Sequence, residues 1–243
     1  MSTTKTLPLM AHMVIGYPTL ENSYQTAIQY IKAGARYLEM QIPFSHPTAD
    51  GPVITDANRM AIEQNNVTIS DCLELIDRLI PHLGDTEIVI MTYCNKALSI
   101  GAGTFAEALT FRGINKAIIP DLPFDDQLVS QFKGLTLVPV IAPNITASRL
   151  NIMLDKKPSL VYIMADFKIT GSVFGVNEAM NNLVQTIKKN CDAQVGIGFG
   201  ISNAAQAKEI LKLADFAIVG SALIKANLAG QLDTILADFK TLA

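Results

Sequence analysis

The chain has 243 residues, 49% of them apolar and 17% charged, enough material for one large core, and an α/β barrel of about 250 residues is a single domain. Its formal net charge of −3, without clusters of Lys and Arg, excludes a surface built to bind nucleic-acid backbone. No run approaches the ~18 apolar residues of a membrane span, and the opening MSTTKTLPLM lacks the apolar core of a secretory signal, so neither membrane nor export is expected and the location reads as cytoplasmic.

In chain order, LMAHMVIG (9–16) is a near-continuous apolar run and predicts a first strand. The signal PTLEN starts a helix over 22–33, which Gly34 ends. YLEMQI (37–42) predicts a second strand with Glu39 inside it; the loop after it carries Asp50. A helix over 70–83 opens on Ser70, with Glu74 as its partner one turn on. EIVIMTY (87–93), NKAIIP (115–120) and LTLVPVIA (135–142) are the next strands, with Gly113 and Gly134 punctuating the segments between them. LVYIMA (160–165), AQVGIGFG (193–200) and DFAIVG (215–220) complete eight, and a helix over 202–213 opens on Ser202. Eight alternations of strand and helix predict an α/β fold, a single (β/α)8 TIM barrel spanning 1–243. A doubly wound sheet is the lesser reading, because no G-x-G-x-x-G follows the first strand.

A barrel places its chemistry at the C-terminal ends of the strands and in the loops that follow. That filter selects Glu39, Asp50, Tyr93, Asn95, Asp121 and Tyr162. GFGIS (198–202) and IVGSALIK (218–225) share one form, a strand followed by glycine, a small polar residue and a helix. Unpaired amides at a helix start attract phosphate, and glycine lets it approach closely. Gly200, Gly220 and Ser221 are the candidate donors, joined by Gly171 of KITGS, and Phe199 is expected to pack near the ligand. Taken alone, Glu39 reads equally well as an ion-paired strand residue, Asp50 as a turn residue before Gly-Pro, and Tyr162 as a core aromatic. Cys72, Cys94 and Cys191 have no C-x-x-C spacing and read as reduced thiols, while His12, His46 and His82 show no metal spacing. No metal and no cofactor are expected.

Together these segments resemble the tryptophan synthase α chain family. LEMQIPFSHPTADGPVITDAN (38–58) is similar to the family's L-E-x-x-I-P-F-S-D-P-x-A-D-G-P segment, and MTYCN (91–95) to its M-x-Y-x-N. IIPDLPFDD (118–126), TG (170–171), GFGIS and GSALIK resemble its acidic-proline and phosphate stretches. The resemblance implies a (β/α)8 lyase that cleaves indole-3-glycerol phosphate to indole and glyceraldehyde 3-phosphate. Glu39 and Asp50 then fall on its catalytic carboxylates, and Tyr162, Gly171, Gly200, Gly220 and Ser221 on its substrate and phosphate positions. In that role Asp50 accepts the indole N–H, and Glu39, shielded from water, shuttles protons at indole C3 and the side-chain hydroxyl. Asp121 would support the neighbourhood of Asp50 or simply cap its loop. A tryptophan synthase β chain is the implied partner.

Several positions depart from the family pattern. His46 stands where Asp is usual, in a loop that resembles the β-chain contact. Asp166 and Lys168 replace the Arg and Gly of an S-R-S-G-V-T-G run, His12 falls where a substrate-facing Phe is common, and the family's opening helix is expected to be missing. Two other readings therefore stand beside the lyase. One is a catalytically weakened paralogue acting as allosteric partner of a pyridoxal-phosphate-dependent β-like chain; the other is a barrel acting on a different sugar phosphate.

Overall fold

In chain order the elements are β1 (Leu7–Val14), α1 (Leu20–Ala33), β2 (Ala35–Gln41), α2 (Pro52–Glu63), α3 (Ile69–Leu79), β3 (Glu87–Met91), α4 (Cys94–Leu98) and α5 (Ala102–Thr110). They continue with β4 (Lys116–Ile118), β5 (Thr136–Leu137), β6 (Val140–Ile141), α6 (Ala147–Asp155), β7 (Leu160–Met164), α7 (Glu178–Asn190), β8 (Gln194–Gly198), α8 (Ala204–Ile210), β9 (Phe216–Val219), α9 (Ser221–Leu228) and α10 (Leu232–Phe239). This is a computed structural model, and it describes residues 6–164, 178–198 and 200–242. Every strand pairing is parallel, in the order β5-β4-β3-β2-β1-β9-β8-β7-β6.

The two outermost segments of that order, β5 and β6, belong to one extended stretch. Pro139 lies between them and has no N–H to give to a ladder. On one side of it, Val138 N donates to Ala117 O (2.8 Å); on the other, Tyr162 N donates to Pro139 O (3.0 Å). The stretch 136–141 therefore joins both edges, and nine strand segments make the eight staves of a closed (β/α)8 barrel.

Side-chain alternation separates two apolar layers. Leu9, Ala11 and Met13 of β1 join the layer between sheet and helices, whereas Met10 joins Tyr37, Val89, Ile118, Leu160 and Phe216 inside the barrel. The interior is filled by rings: those of Tyr37 and Phe216 lie 4.8 Å apart. Gly196 makes room for them, since a Cβ there would come 2.1 Å from Phe216 Cε2.

Two helix starts differ from the sequence reading. α3 is capped by Thr68, whose side chain accepts from Asp71 N while the Asp71 carboxylate accepts from Thr68 N (2.8 Å). Ser70 lies inside the helix, its hydroxyl 3.5 Å from Glu74. The box works because T-I-S-D has the same spacing as S-D-C-L-E less one residue, with the shorter Asp taking the reciprocal role. Likewise α8 is capped by Asn203 rather than Ser202.

Thr68→Ala is expected to cost ~1 kcal/mol in urea unfolding, against less than about 0.5 kcal/mol for the surface change Ser70→Ala. Gly196→Ala, which overpacks the interior, is expected to cost about 1–3 kcal/mol, part of it recovered by adding Phe216→Leu.

Candidate active site

β1 and β2 run in register, so His12 lies opposite Glu39. Both occur two residues after interior-facing neighbours, Met10 and Tyr37, and therefore share the barrel interior. They are 4% and 3% exposed, low enough that neither can rely on water to support a charge. Nδ1 of His12 lies 3.3 Å from Oε2 of Glu39, an ion-pair separation without the alignment of a hydrogen bond. Burial on its own would push the imidazole down. The Glu39 carboxylate, the Asp50 charge and the Gln41 side chain outweigh it, and His12 ends above its ordinary value.

Asp50 arrives from the loop after β2. Its backbone N donates to Pro47 O (3.1 Å), and Gly51 and Pro52 then start α2. The loop is tied down by Asn58, fully buried, whose Oδ1 accepts from Phe44 N (2.9 Å). Oδ2 of Asp50 accepts from Gln41 Nε2 (2.8 Å) and from the Tyr93 hydroxyl (3.0 Å), and that hydroxyl accepts from Ala49 N (3.0 Å). Phe44 stacks on the Tyr93 ring at 5.2 Å. Burial holds the Asp50 carboxyl above the usual range, against the pull of His12, Gln41 and Tyr93, and the Glu39 charge adds to the rise.

Tyr162 on β7 faces the same interior. Its hydroxyl would lie 3.0 Å from a Cβ at Gly198, and burial followed by the Glu39 and Asp50 charges pushes its phenol well up. Gly220 precedes α9 without a capping side chain, and among the described residues the amides of Ser221 and Ala222 have no acceptor. A Cβ at Gly220 would lie 3.5 Å from His12 Cδ2, which sets these open amides beside the acids. The matching start of α8 is different. Ser202 N donates to Gln206 Oε1, Gln206 N to Asn203 Oδ1 and Ala204 N to Asp238 Oδ2, so those amides are taken. Gly200 supplies a turn there at φ 74°. Gly171, Phe199, Asp166 and Lys168 lie outside the described residues.

Three residues of the cluster stood outside the expected catalytic and substrate set, although the strand-end filter had selected Tyr93 and the resemblance had set His12 where a substrate-facing Phe is common. Gln41 was open to the period-two rule, since 37, 39 and 41 share a face, but an amide carries no charge to attract notice. Tyr93 stood out only as a strand end, and His12 needed the register between strands. Oδ1 of Asp121 accepts from Cys94 N (2.8 Å) at the start of α4, and its charge acts on Tyr93, whose hydroxyl bonds Asp50. The ring of His46 packs edge-on against Phe44 at 6.2 Å, and its Nδ1 lies 2.8 Å from the Ser45 hydroxyl. Burial pushes the Cys72 thiol up to about 12, which leaves it protonated and inert as a nucleophile. Among the described residues no three His, Cys, Asp or Glu side chains gather as metal ligands, and no helix is long and apolar enough to cross a membrane.

A cavity opens at the ends of β4, β5 and β6, lined among others by Asp121, Phe124, Val138, Val140 and Arg149. It shares Val138 and Val140 with the interior cluster that packs against Tyr162, but neither Glu39 nor Asp50 lines it.

Comparison with known proteins gives a consistent result. The sequence matches the tryptophan synthase alpha chain family over residues 2–239. The tryptophan synthase alpha chain of Syntrophotalea carbinolica is 32% identical over 242 residues, covering 98% of this chain and 95% of that protein. The one from Aquifex aeolicus is 34% identical over 228 residues, covering 92% and 86%. Among solved structures, one from Aquifex aeolicus aligns with a TM-score of 0.87 at 30% identity, over 98% of this chain and 93% of the other. Tryptophan synthase from Mycobacterium tuberculosis aligns with a TM-score of 0.85 at 30% identity, over 96% and 91%.

The titration of Asp50 has a consequence for stability. A carboxyl whose pKa is higher folded than unfolded contributes a penalty that develops as pH rises from its unfolded toward its folded value. Asp50→Asn removes that penalty, so unfolding free energies measured side by side should favour the variant more at pH 7 than at pH 3.

Proposed function

Because the chain belongs to the tryptophan synthase alpha chain family, we propose that it cleaves indole-3-glycerol phosphate to indole and glyceraldehyde 3-phosphate, with Glu39 and Asp50 as its two acids. The observation that carries this reading is the convergence of both carboxylates and the open amides of α9 around His12, at one end of one barrel.

The reaction balances on protons alone. Glu39 in its acid form gives a proton to indole C3, which breaks the aromaticity of the five-membered ring. Asp50 accepts a hydrogen bond from the ring N–H and stabilises the positive charge that forms. Glu39, now a carboxylate, takes the proton of the hydroxyl on the adjacent side-chain carbon. The bond from that carbon to C3 breaks, its electron pair returns to the ring, and the carbon leaves as an aldehyde. Glu39 gives one proton and regains one, no water is consumed, and no redox or electrophilic cofactor is called for.

Each surrounding group has a part in this scheme. Gln41 and Tyr93 fix Asp50 through their two hydrogen bonds, so the acceptor needs little reorganisation when charge develops. The Ser221 and Ala222 amides at the positive end of α9, beside Gly220, take the phosphate. Tyr162 lines the space between, and Gly171, Phe199 and Gly200 complete the ligand's surroundings. A tryptophan synthase β chain is the proposed partner, with the loop holding His46 as a contact, and a cytoplasmic location accompanies that assignment.

Indole release by the purified chain, with and without a β chain, tests the proposal. Glu39→Gln and Asp50→Asn should each lower kcat/KM by ~10²–10⁴ with the fold retained by circular dichroism. A wild-type chain releasing no indole under either condition would overturn the lyase assignment and leave the allosteric-partner reading.

A further inference from the structure

The acid–base scheme asks one carboxyl, Glu39, to hold a proton at neutral pH, where an ordinary carboxyl has lost it. His12 supplies what that scheme lacks. It lies opposite Glu39 in the β1–β2 register, with Nδ1 3.3 Å from Oε2. Three polar atoms here are buried without a hydrogen-bond partner: His12 Nε2, Glu39 Oε2 and Gln41 Oε1. Buried polar atoms of this kind cost stability, and three of them gathered at one place call for a physical account. Among the described residues no Lys or Arg forms an ion pair with Glu39 or Asp50, and His12 is the group there whose positive charge acts on Asp50 and pairs with Glu39.

We propose that His12 is a positioning residue that acts through Glu39: the two side chains hold one proton between them, and His12 returns it to Glu39 when Glu39 protonates the indole ring. The step moves one proton and nothing else. The Nδ1–H bond of the imidazolium breaks, an O–H bond forms on the Glu39 carboxylate, and the imidazole is left neutral until the hydroxyl proton comes back along the same path. This rests on the lyase reading above, and it adds a second holder for the proton that the reading requires.

The surroundings of His12 fit that role. From β2 it faces Glu39 and Gln41, and from the loop beyond β2 the charge of Asp50. Tyr162 on β7 lies in the field of both carboxylates, and the Tyr93 hydroxyl is engaged by Asp50. Beside the ring lies Gly220, where a Cβ would come 3.5 Å from His12 Cδ2 and 3.3 Å from Ile54 Cδ1, and neither residue is charged. The Tyr30 hydroxyl, from α1, reaches the backbone O of His12 (3.4 Å) and leaves the ring free. Among the described residues the charges that act on His12 are those of Glu39 and Asp50, both negative, which favours its protonated form and agrees with its raised pKa. The pair therefore keeps its proton below the folded pKa of His12 and loses it as pH rises through that value.

Two measurements test this. The chain has three histidines, so the imidazole NMR signals of His12 can be assigned by difference with His12→Phe. They should titrate with a midpoint above about 6.5, and the midpoint should fall in Glu39→Gln. A midpoint at or below the ordinary value, or one indifferent to Glu39→Gln, overturns the proposal whether or not the chain releases indole. The second measurement is the pH profile of indole release. His12→Phe keeps a planar ring and should lower kcat at pH 7.5 at least tenfold, change KM less than threefold, and move the alkaline limb of kcat to lower pH by one unit or more. His12→Gln can still hydrogen-bond Glu39 but carries no transferable proton, and it should show the same displaced limb. A uniform loss across pH in both variants, or a limb restored by Gln, overturns the proposal in favour of a purely structural role.

Discussion

Burial of a carboxylate beside an imidazole, on two parallel strands in register, is the constraint around which this site is arranged. Neither group is accessible to water, so each must find its electrostatic support within the protein. Glu39 finds it in His12, and His12 finds it in Glu39, in Asp50 and in Gln41. Asp50 is drawn into the same balance because Gln41, two residues beyond Glu39, turns its amide N–H toward it. A single strand, β2, thus carries one acid outright and secures the other through a hydrogen bond.

The interior packing serves the same end. Large rings from Tyr37 and Phe216 fill the barrel below the acids, and glycine at 196 on β8 accommodates them. Filling from below excludes water from the acids' floor and leaves the mouth of the barrel for a ligand. Above, the open amides of α9 lie across His12 from Glu39, so an anion seated on them sits near the imidazole that balances the carboxylates. Charge and shape are settled by the same few side chains.

Most of the fold was legible in the sequence because continuous apolar runs of strand length, separated by helical segments, have few other solutions. The misreadings were local. The expected start of α3 at Ser70 had Glu74 four residues on, one beyond the capping-box spacing, whereas Asp71 lies three residues after Thr68 and closes the box. For Asp121 two readings stood, a cap or a support for the neighbourhood of Asp50; it caps the start of α4, and its charge also acts on Tyr93, which holds Asp50. In the site, Glu39, Asp50 and Tyr162 could be picked out by where barrels keep their chemistry. The partnership of His12 could not, because it depends on how two strands slide against each other, and nothing within either strand records that. The two glycine stretches read as equals, yet α9 starts with the amides of Ser221 and Ala222 open, whereas at α8 side chains of Gln206, Asn203 and Asp238 occupy those of Ser202, Gln206 and Ala204 through contacts that the glycine pattern does not encode.

Pro139 divides one stave into two short ladders, and in the sheet order that stave lies at the far remove from β1. A seam held by so few bonds is where the ring gives way most readily. The cavity at the ends of β4, β5 and β6 borders this seam, with Val138, Pro139 and Val140 among its walls. Opening along this stave would widen that cavity, whereas the longer ladders of β1 with β2 and of β2 with β3 on the opposite side hold His12 and Glu39 in register.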